Sequence, residues 1–376
     1  MSCQRNVENS TGDPKVFPSV YNKNIRESYC EDKSEGKNKK TDLQAESEHL
    51  RKAWARHNEQ FLDGYLVRDV EDPRINVQSI ITRGFLLDTI FPSEFNALIR
   101  EEIRFGACLS SILRLLESNS FKLSRSALLS SLQSRRKTCH GVYIPSHVQQ
   151  CFDLISGQSA VVPDYVTEAL IGTVSDESFW IAQSSLSTFE IIWAGLLSNR
   201  KRNKISVLEP ACGSANDYRY LNSFGVSAFL KYTGFDICQK NIANALHRLP
   251  NVDFRTANVL EMPFEANSYD YLFVHDLFEH LSPIALEAAL AEICRVTRKQ
   301  ALLSFFNMRD IDRHLVQPCR LYHWNMLSLK RIRKSLTKQG CLADVVHIDS
   351  FLRDSYACDD HPNKEAYTII VTIGKN

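Results

Sequence analysis

An excess of charge of either sign is missing from this chain: 45 lysines and arginines stand against 44 aspartates and glutamates, a formal net charge of +1 over 376 residues. No global field exists to gather nucleic acid or an anionic membrane, so polyanion binding would need a local patch. Also missing is any apolar run long enough to span a bilayer, and the start, Met1 to Asn6, carries no apolar core of the kind a secretory signal needs. The 11 cysteines are odd in number, scattered and without a Cys-x-x-Cys pair, which argues against a disulfide framework and against the common zinc signatures. These absences predict a reduced, cytoplasmic setting, no membrane partner and no metal centre. The densest Cys/His group, Cys139-His140 with His147 and Cys151, reads as ordinary core and surface residues.

What is present suffices for a packed interior: 44% of residues are hydrophobic and 10% aromatic, in a chain long enough for two or three domains. Residues 1–45 are polar and charged, with almost no apolar side chain between Asp32 and Lys40. Such a stretch cannot bury enough area to offset its conformational entropy and is expected to be disordered. Residues 46–175 read as an α-helical N-terminal domain. From Glu94 to Glu117 apolar residues recur at Phe95, Leu98, Ile99, Ile103, Cys108, Leu109, Ile112, Leu113 and Leu116, a three-to-four repeat. Further helices are expected at 123–135, at 146–156 behind Ser146 as N-cap, at 164–174 and at 177–197. This region could form a substrate-shaping lid, a scaffold or a docking module.

The chemistry gathers in residues 176–376. Ile205 to Leu208, apolar and partly β-branched, ends in Glu209 and breaks into Pro-Ala-Cys-Gly-Ser-Ala before a helix that begins near Asp217. That pattern is a buried strand, a tight turn and a helix start, and small residues there let a ligand lie against backbone N–H groups. Alanine fits the turn at positions 211 and 215 if its φ stays negative. A second strand, Phe229 to Thr233, closes at Asp236, 27 residues after Glu209, where an acid can accept both hydroxyls of a ribose. A third segment, Val252 to Ala257, ends at Asn258 ahead of Leu260 to Phe264. A fourth, Tyr269 to Val274, ends in His275-Asp276. Ser282-Pro283 opens a helix, Ala301 to Phe306 makes a fifth strand, and a loop over 307–324 passes His314 and Tyr322-His323-Trp324. A helix from Leu327 to Lys338 ends at Gly340, and the alternating runs Leu342 to Ile348 and Tyr367 to Ile373 suit a terminal hairpin.

In this order Glu209-Pro-Ala-Cys-Gly213, Asp236, Asn258 with Leu260 to Phe264, and Glu279-His280-Leu281 resemble the class I S-adenosylmethionine-dependent methyltransferases, in particular their broad small-molecule group. The pattern departs at Ala211 and Ala215, where the family has glycine, and at Asn258, where aspartate is more common. The resemblance implies an α/β fold, a Rossmann-like seven-stranded sheet of order 3-2-1-4-5-7-6, with S-adenosyl-L-methionine as cofactor. It implies that Glu209, Ala211, Cys212 and Gly213 meet the methionine end, Asp236 the ribose and Ile237 the adenine face. Asn258 and Val259 would meet the adenine edge. His275 would stand beside the cofactor as the first candidate for a general base, or else cap the next helix. Asp276 and His314 complete the catalytic candidates, while Glu279-His280 suits a loop-to-helix junction.

Methyl transfer from a sulfonium mainly requires alignment of two reactants, and a base helps only when the nucleophile carries a proton. The expected acceptor is a small molecule with an oxygen, nitrogen or carbon nucleophile. RNA or protein as acceptor, or a binding protein that keeps the fold without catalysis, are the alternatives. His275-Asp276-Leu277-Phe278 replaces the Asn/Asp-Pro-Pro-aromatic turn of enzymes that methylate base amino groups, which argues against nucleic acid. No oligomeric state follows from the residues.

Overall fold

The computed structural model describes residues 30–31, 45, 72–118, 123–150, 188–319 and 322–374. Seven strands make one sheet: β1 Ile205–Pro210, β2 Leu230–Asp236, β3 Asp253–Thr256, β4 Tyr269–Val274, β5 Thr297–Phe305, β6 Leu342–His347 and β7 Tyr367–Thr372. Their spatial order is β3-β2-β1-β4-β5-β7-β6. The five strands from β3 to β5 are parallel, and β7 runs antiparallel between β5 and β6. The order reverses between β1 and β4, so the crevice at their carboxyl ends is where a ligand belongs in an open α/β sheet.

Nine helices of eight residues or more are described: α1 Val77–Ile90, α2 Asn96–Ser118, α3 Arg125–Gln133, α4 Thr188–Leu197, α5 Asn216–Ser223, α6 Gln239–Arg248, α7 Pro283–Val296, α8 Leu329–Lys338 and α9 Ile348–Tyr356. Local chemistry sets their ends. Ser282 caps α7 by accepting the Ala285 N–H, with Pro283 as the first helical residue. α8 stops where Gly340, at φ +75°, lets its own N–H reach Thr337 O and that of Cys341 reach Leu336 O. Among the described residues no helix is long and apolar enough to cross a membrane.

The two sheet faces carry separate cores. On one, Leu208, Leu272, Val274 and Leu303 pack beneath α7 and α8 through Leu286, Leu290, Ile293, Ile332 and Leu336. On the other, Val207, Phe273 and Leu302 share a core with Leu86 and Leu87 of α1, Phe105, Leu109 and Ile112 of α2, and Trp193 of α4. The N-terminal helices therefore complete the interior of the sheet domain. α2 buries Leu98, Ile103, Cys108, Leu109 and Ile112 of the stripe its periodicity predicts. α1 and α2 touch closely at Gly106, where a Cβ would stand 2.6 Å from the Ile75 carbonyl oxygen.

A buried ion pair fastens that layer. Arg83 of α1 reaches Glu102 of α2 with Nη2 to Oε1 at 2.5 Å, donates to Pro73 O through Nη1, and lies over the Phe224 ring at 4.1 Å. The other carboxylate oxygen of Glu102 accepts the Trp193 indole N–H at 2.7 Å. α1 is also tied to the sheet, because Gln78 Nε2 donates to Tyr367 O at 2.8 Å and Phe305 O at 3.2 Å.

Three expectations change. β6 and β7 pair antiparallel, but α9 fills the connection where a hairpin is expected; its apolar Ile348 and Leu352 bury against Val77 and Ile80 of α1. The 307–324 loop is built from short ladders, Met308–Arg309 with Leu327–Ser328 and Pro318–Cys319 with Tyr322–His323. Within the tail expected to be disordered, Cys30–Glu31 pairs antiparallel with Leu315–Val316. The rest of the tail, the 164–174 helix and the 177–187 part of the next lie outside the described residues. Glu102→Ala strips both Arg83 and Trp193 of their partner and is expected to cost about 3–5 kcal/mol of unfolding free energy. Urea unfolding checks this, and a loss under about 1 kcal/mol, the range of a surface pair, would count against the buried network.

Candidate functional site

At the carboxyl end of β1 the chain turns through Ala211, Cys212, Gly213, Ser214 and Ala215. Ala211, Gly213 and Ala215 have φ of +57°, +55° and +67°. Both alanines thus adopt the left-handed conformation that glycine takes without strain, and the condition of negative φ is not met. Each costs about 1–2 kcal/mol and is retained because the surrounding bonds fix the turn: Cys212 N donates to Phe235 O, Ala215 N to Cys212 O, and Gly213 N to Asp236 Oδ2 at 3.0 Å. Nothing lies within 4 Å of where a Cβ on Gly213 would stand. A ligand can therefore approach the backbone at that point. Gly234 forms the floor of the turn, with the Tyr232 hydroxyl, Phe254 and Cys212 Sγ closed around it.

Asp236, at the end of β2, holds this turn with one oxygen. The other accepts the N–H of Cys238 at 2.7 Å. Burial raises the pKa of Asp236 above the ordinary value, against the pull of the N–H groups of Cys238 and Gly213 and of Asn241. Glu209 is buried at 3% exposure and accepts the Tyr232 hydroxyl. Burial pushes its pKa well above the usual carboxylate range, the charge of Asp217 adds to this, and the Tyr232 hydrogen bond pulls the other way. Tyr218 does not fill the turn; it packs on Tyr232 and Phe254, with ring centroids 4.4 and 6.0 Å away. Ile237 packs against the α7-side core, where Val259 is buried, and Asn258 uses its side-chain oxygen to accept the Leu260 N–H at 3.0 Å.

At the end of β4, His275 lies between two elements. Its Nδ1 is 3.1 Å from Asp217 Oδ2, in the first turn of α5, and its Nε2 is 2.9 Å from Thr82 Oγ1 on α1. For Asp217 burial opposes ionisation, but the charge and hydrogen bond of His275 and the charge of Arg83 outweigh it and lower its pKa. Asp276 follows with φ +49° and an exposed side chain. Sequence reasoning brought His275 and Asp276 to this place. It missed Asp217, whose signal was an acid in the first turn of the helix after a glycine turn, and Thr82, which has no local signal at all.

The Glu279-His280 pair serves the junction. Glu279 is fully buried and its Oε1 accepts the N–H groups of Phe306 and Asn307 at 2.8 and 3.1 Å, tethering the end of β5. Burial, partly offset by those N–H groups, raises its pKa to about 8. His280 Nδ1 donates to His323 O at 3.1 Å, and its ring meets Phe306 and Trp324 at 5.6 and 5.5 Å. Burial lowers the His280 pKa to about 4. His314 is buried, and its Nδ1 accepts the Ser328 N–H at 3.0 Å at the start of α8; that bond gives it a structural post.

Residues 208–305 match the family model described as "Methyltransferase domain". Among solved structures the chain is similar to the YcgJ protein of Bacillus subtilis, at 15% identity over 48% of this chain and 98% of that one, with a TM-score of 0.35. It is similar to the Burkholderia thailandensis 1,6-didemethyltoxoflavin-N1-methyltransferase, solved with 1,6-didemethyltoxoflavin and S-adenosylhomocysteine bound, at 16% identity over 50% and 76% of the two chains, TM-score 0.36. It is also similar to the magnesium protoporphyrin IX methyltransferase of Synechocystis, solved with S-adenosylmethionine bound, at 14% identity over 59% and 89%, TM-score 0.34. With the ordered motifs, the sheet and the open turn at Gly213 beside Asp236, the match assigns residues 208–305 of this chain a methyltransferase domain.

Proposed function

We propose that this domain transfers a methyl group to an oxygen, nitrogen or carbon nucleophile of a small-molecule acceptor. The observation that carries the reading is the placement of α1 across the carboxyl ends of β4 and β5, through Thr82 on His275 and Gln78 on Phe305 O. A helix that crosses this end of the sheet narrows access for a folded polymer and favours a small acceptor. The buried free cysteines among the described residues support a reduced, cytoplasmic setting.

Glu209 and the turn 211–213 would hold the methionine end of the cofactor, Asp236 the ribose hydroxyls, Ile237 the adenine face, and Asn258 and Val259 the adenine edge. Bound S-adenosylmethionine supplies a methyl group already activated by the sulfonium charge. The protein's task is then to align the acceptor and to exclude water, and alignment alone lowers a barrier substantially.

The hydrogen-bond partners of His275 support its charged form. Thr82 has one hydroxyl proton, and it goes to Gln78 O at 3.0 Å, so Thr82 faces His275 Nε2 as an acceptor. Asp217 faces Nδ1 as an acceptor as well. In this reading both ring nitrogens donate and His275 is an imidazolium. Burial works against that charge, but the Asp217 charge and hydrogen bond, helped by Asp276, raise the pKa above the ordinary value. We assign His275 to positioning, as the cation that links α1 to α5. Where an acceptor must lose a proton, the exposed carboxylate of Asp276 is the better-placed base. His314, committed to Ser328, takes no part in the transfer.

Two measurements test this. Calorimetric titration with S-adenosylhomocysteine should show micromolar binding, and Asp236→Ala should weaken it by on the order of 10–100-fold, the loss of charge-assisted hydrogen bonds worth about 1.5–3 kcal/mol. Transfer of labelled methyl should then appear in low-molecular-mass acceptors; label found only in RNA or protein fractions would overturn the small-molecule reading. The second measurement is melting temperature against pH for the protein and for His275→Gln. The folded pKa of His275 is raised above 6.5, so its contribution is complete below 6.5 and is lost as pH climbs through the raised value. That of Asp217 is lowered below 3.8, so its contribution is complete above 3.8. The variant should lose most stability between pH 3.8 and 6.5, with the gap narrowing in alkali; a gap independent of pH would sink the imidazolium assignment.

A further inference from the structure

Away from the methyltransferase site, three segments distant in sequence bring four donor side chains to one point. Ser111 comes from α2, His147 from the helical turn over 146–150, and Cys358 and Asp360 from the loop after α9, where Ala357 at φ +53° ends the helix. His147 Nε2 stands 3.0 Å from Ser111 Oγ and 3.4 Å from Asp360 Oδ1. Asp360 Oδ1 stands 3.3 Å from Cys358 Sγ and 3.3 Å from Ser111 Oγ. The donor atoms of His147, Cys358 and Asp360 all lie within 4.8 Å of one another. His147 and Cys358 are buried at 5% and 1% exposure, while the Asp360 side chain is 35% exposed.

These separations have a simple geometric meaning. Four donors around a tetrahedral ion with bonds of about 2.0–2.3 Å are spaced by roughly 3.3–3.7 Å. The contacts to Asp360 from the imidazole and the serine hydroxyl, at 3.4 and 3.3 Å, are longer than good hydrogen bonds of those types, yet fit the edges of such a tetrahedron. One nitrogen, one sulfur and one carboxylate oxygen are also the donor types that zinc takes together. The exposed flank of Asp360 gives an entry path.

We propose that His147, Cys358 and Asp360 form a zinc-type site that binds one borderline divalent cation through Nε2, Sγ and a carboxylate oxygen, with the Ser111 hydroxyl beside the fourth position. The charges close: a thiolate and a carboxylate neutralise a dication. On binding, the Cys358 S–H bond breaks, its proton leaves to solvent past Asp360, and a metal–sulfur bond forms, with no change of oxidation state. The site is structural, because it pins α2 and the 146–150 turn to the loop that leads into β7. The sequence conceals it, since Cys139, His140 and Cys151 stand nearer to His147 in the chain than its partners do.

The full chain, stripped with chelator and dialysed, should bind about one Co2+ with a thiolate-to-metal charge-transfer band in the near ultraviolet and a tetrahedral visible spectrum, and Zn2+ should displace it. Cys358→Ser should abolish the charge-transfer band. Asp360→Asn, at a partly exposed position that leaves the core intact by circular dichroism, should weaken Zn2+ binding by at least about tenfold. Absence of the band in the unsubstituted protein overturns the proposal, as does a band and affinity unchanged by both substitutions. If Cys358→Ser does not fold, Asp360→Asn decides alone. Asp236→Ala should keep the metal while losing the cofactor, so failure here leaves the methyltransferase reading where it stood.

Discussion

The ion pair of Arg83 with Glu102 is the constraint on which the arrangement of this molecule rests. Two charges removed from water inside a helical layer are stable only if every polar atom around them is matched, and here the match is made by parts of four elements. Glu102 has an indole N–H on its second oxygen, and Arg83 has a main-chain carbonyl and an aromatic face. The same guanidinium helps hold Asp217 ionised, and Asp217 in turn holds His275. A charge buried for packing reasons thus reaches a group at the active end of the sheet, favouring ionised Asp217 while opposing charge on His275.

The placement of α1 also changes what the end of β4 can do. In an open sheet, a histidine after this strand would face solvent and cycle its proton near neutral pH. Between Thr82 and Asp217 its ring is held on both sides, and against the pull of burial the charge of Asp217 raises its pKa. The carboxyl end of β5 is fixed by equally buried chemistry, with Glu279 accepting two backbone N–H groups and Asn307 Nδ2 donating to Asn325 O. Rigid walls of this kind suit a reaction in which placement supplies most of the rate.

Much of this was legible in the residues. The strands announced themselves by apolar runs ending in Glu209, Asp236 and His275, because a buried parallel strand must be apolar and a site at its tip must be polar. Ser282-Pro283 and Gly340 marked helix ends because capping is local chemistry. What escaped has one physical cause. Thr82 and His275 are 193 positions apart, Cys30–Glu31 finds its partner beyond position 314, and His147 meets residues from the far end of the chain; none of these pairings leaves a trace in local composition. The left-handed alanines at 211 and 215 escaped for a related reason, since the hydrogen bonds that hold them against strain come from the neighbouring strand. α9 was hidden by brevity, one apolar stripe of few residues between two strands that read as neighbours.

The Gln78 bridge carries a consequence for the order in which the molecule assembles. Its carbonyl partners lie 227 and 289 residues further along the chain, and contacts of such separation return nothing until the intervening loop has closed. The sheet strands, adjacent or nearly so in sequence, gain from pairing early. α1 must settle late, onto a platform already formed, so the last step of folding is also the step that places Thr82 beside His275.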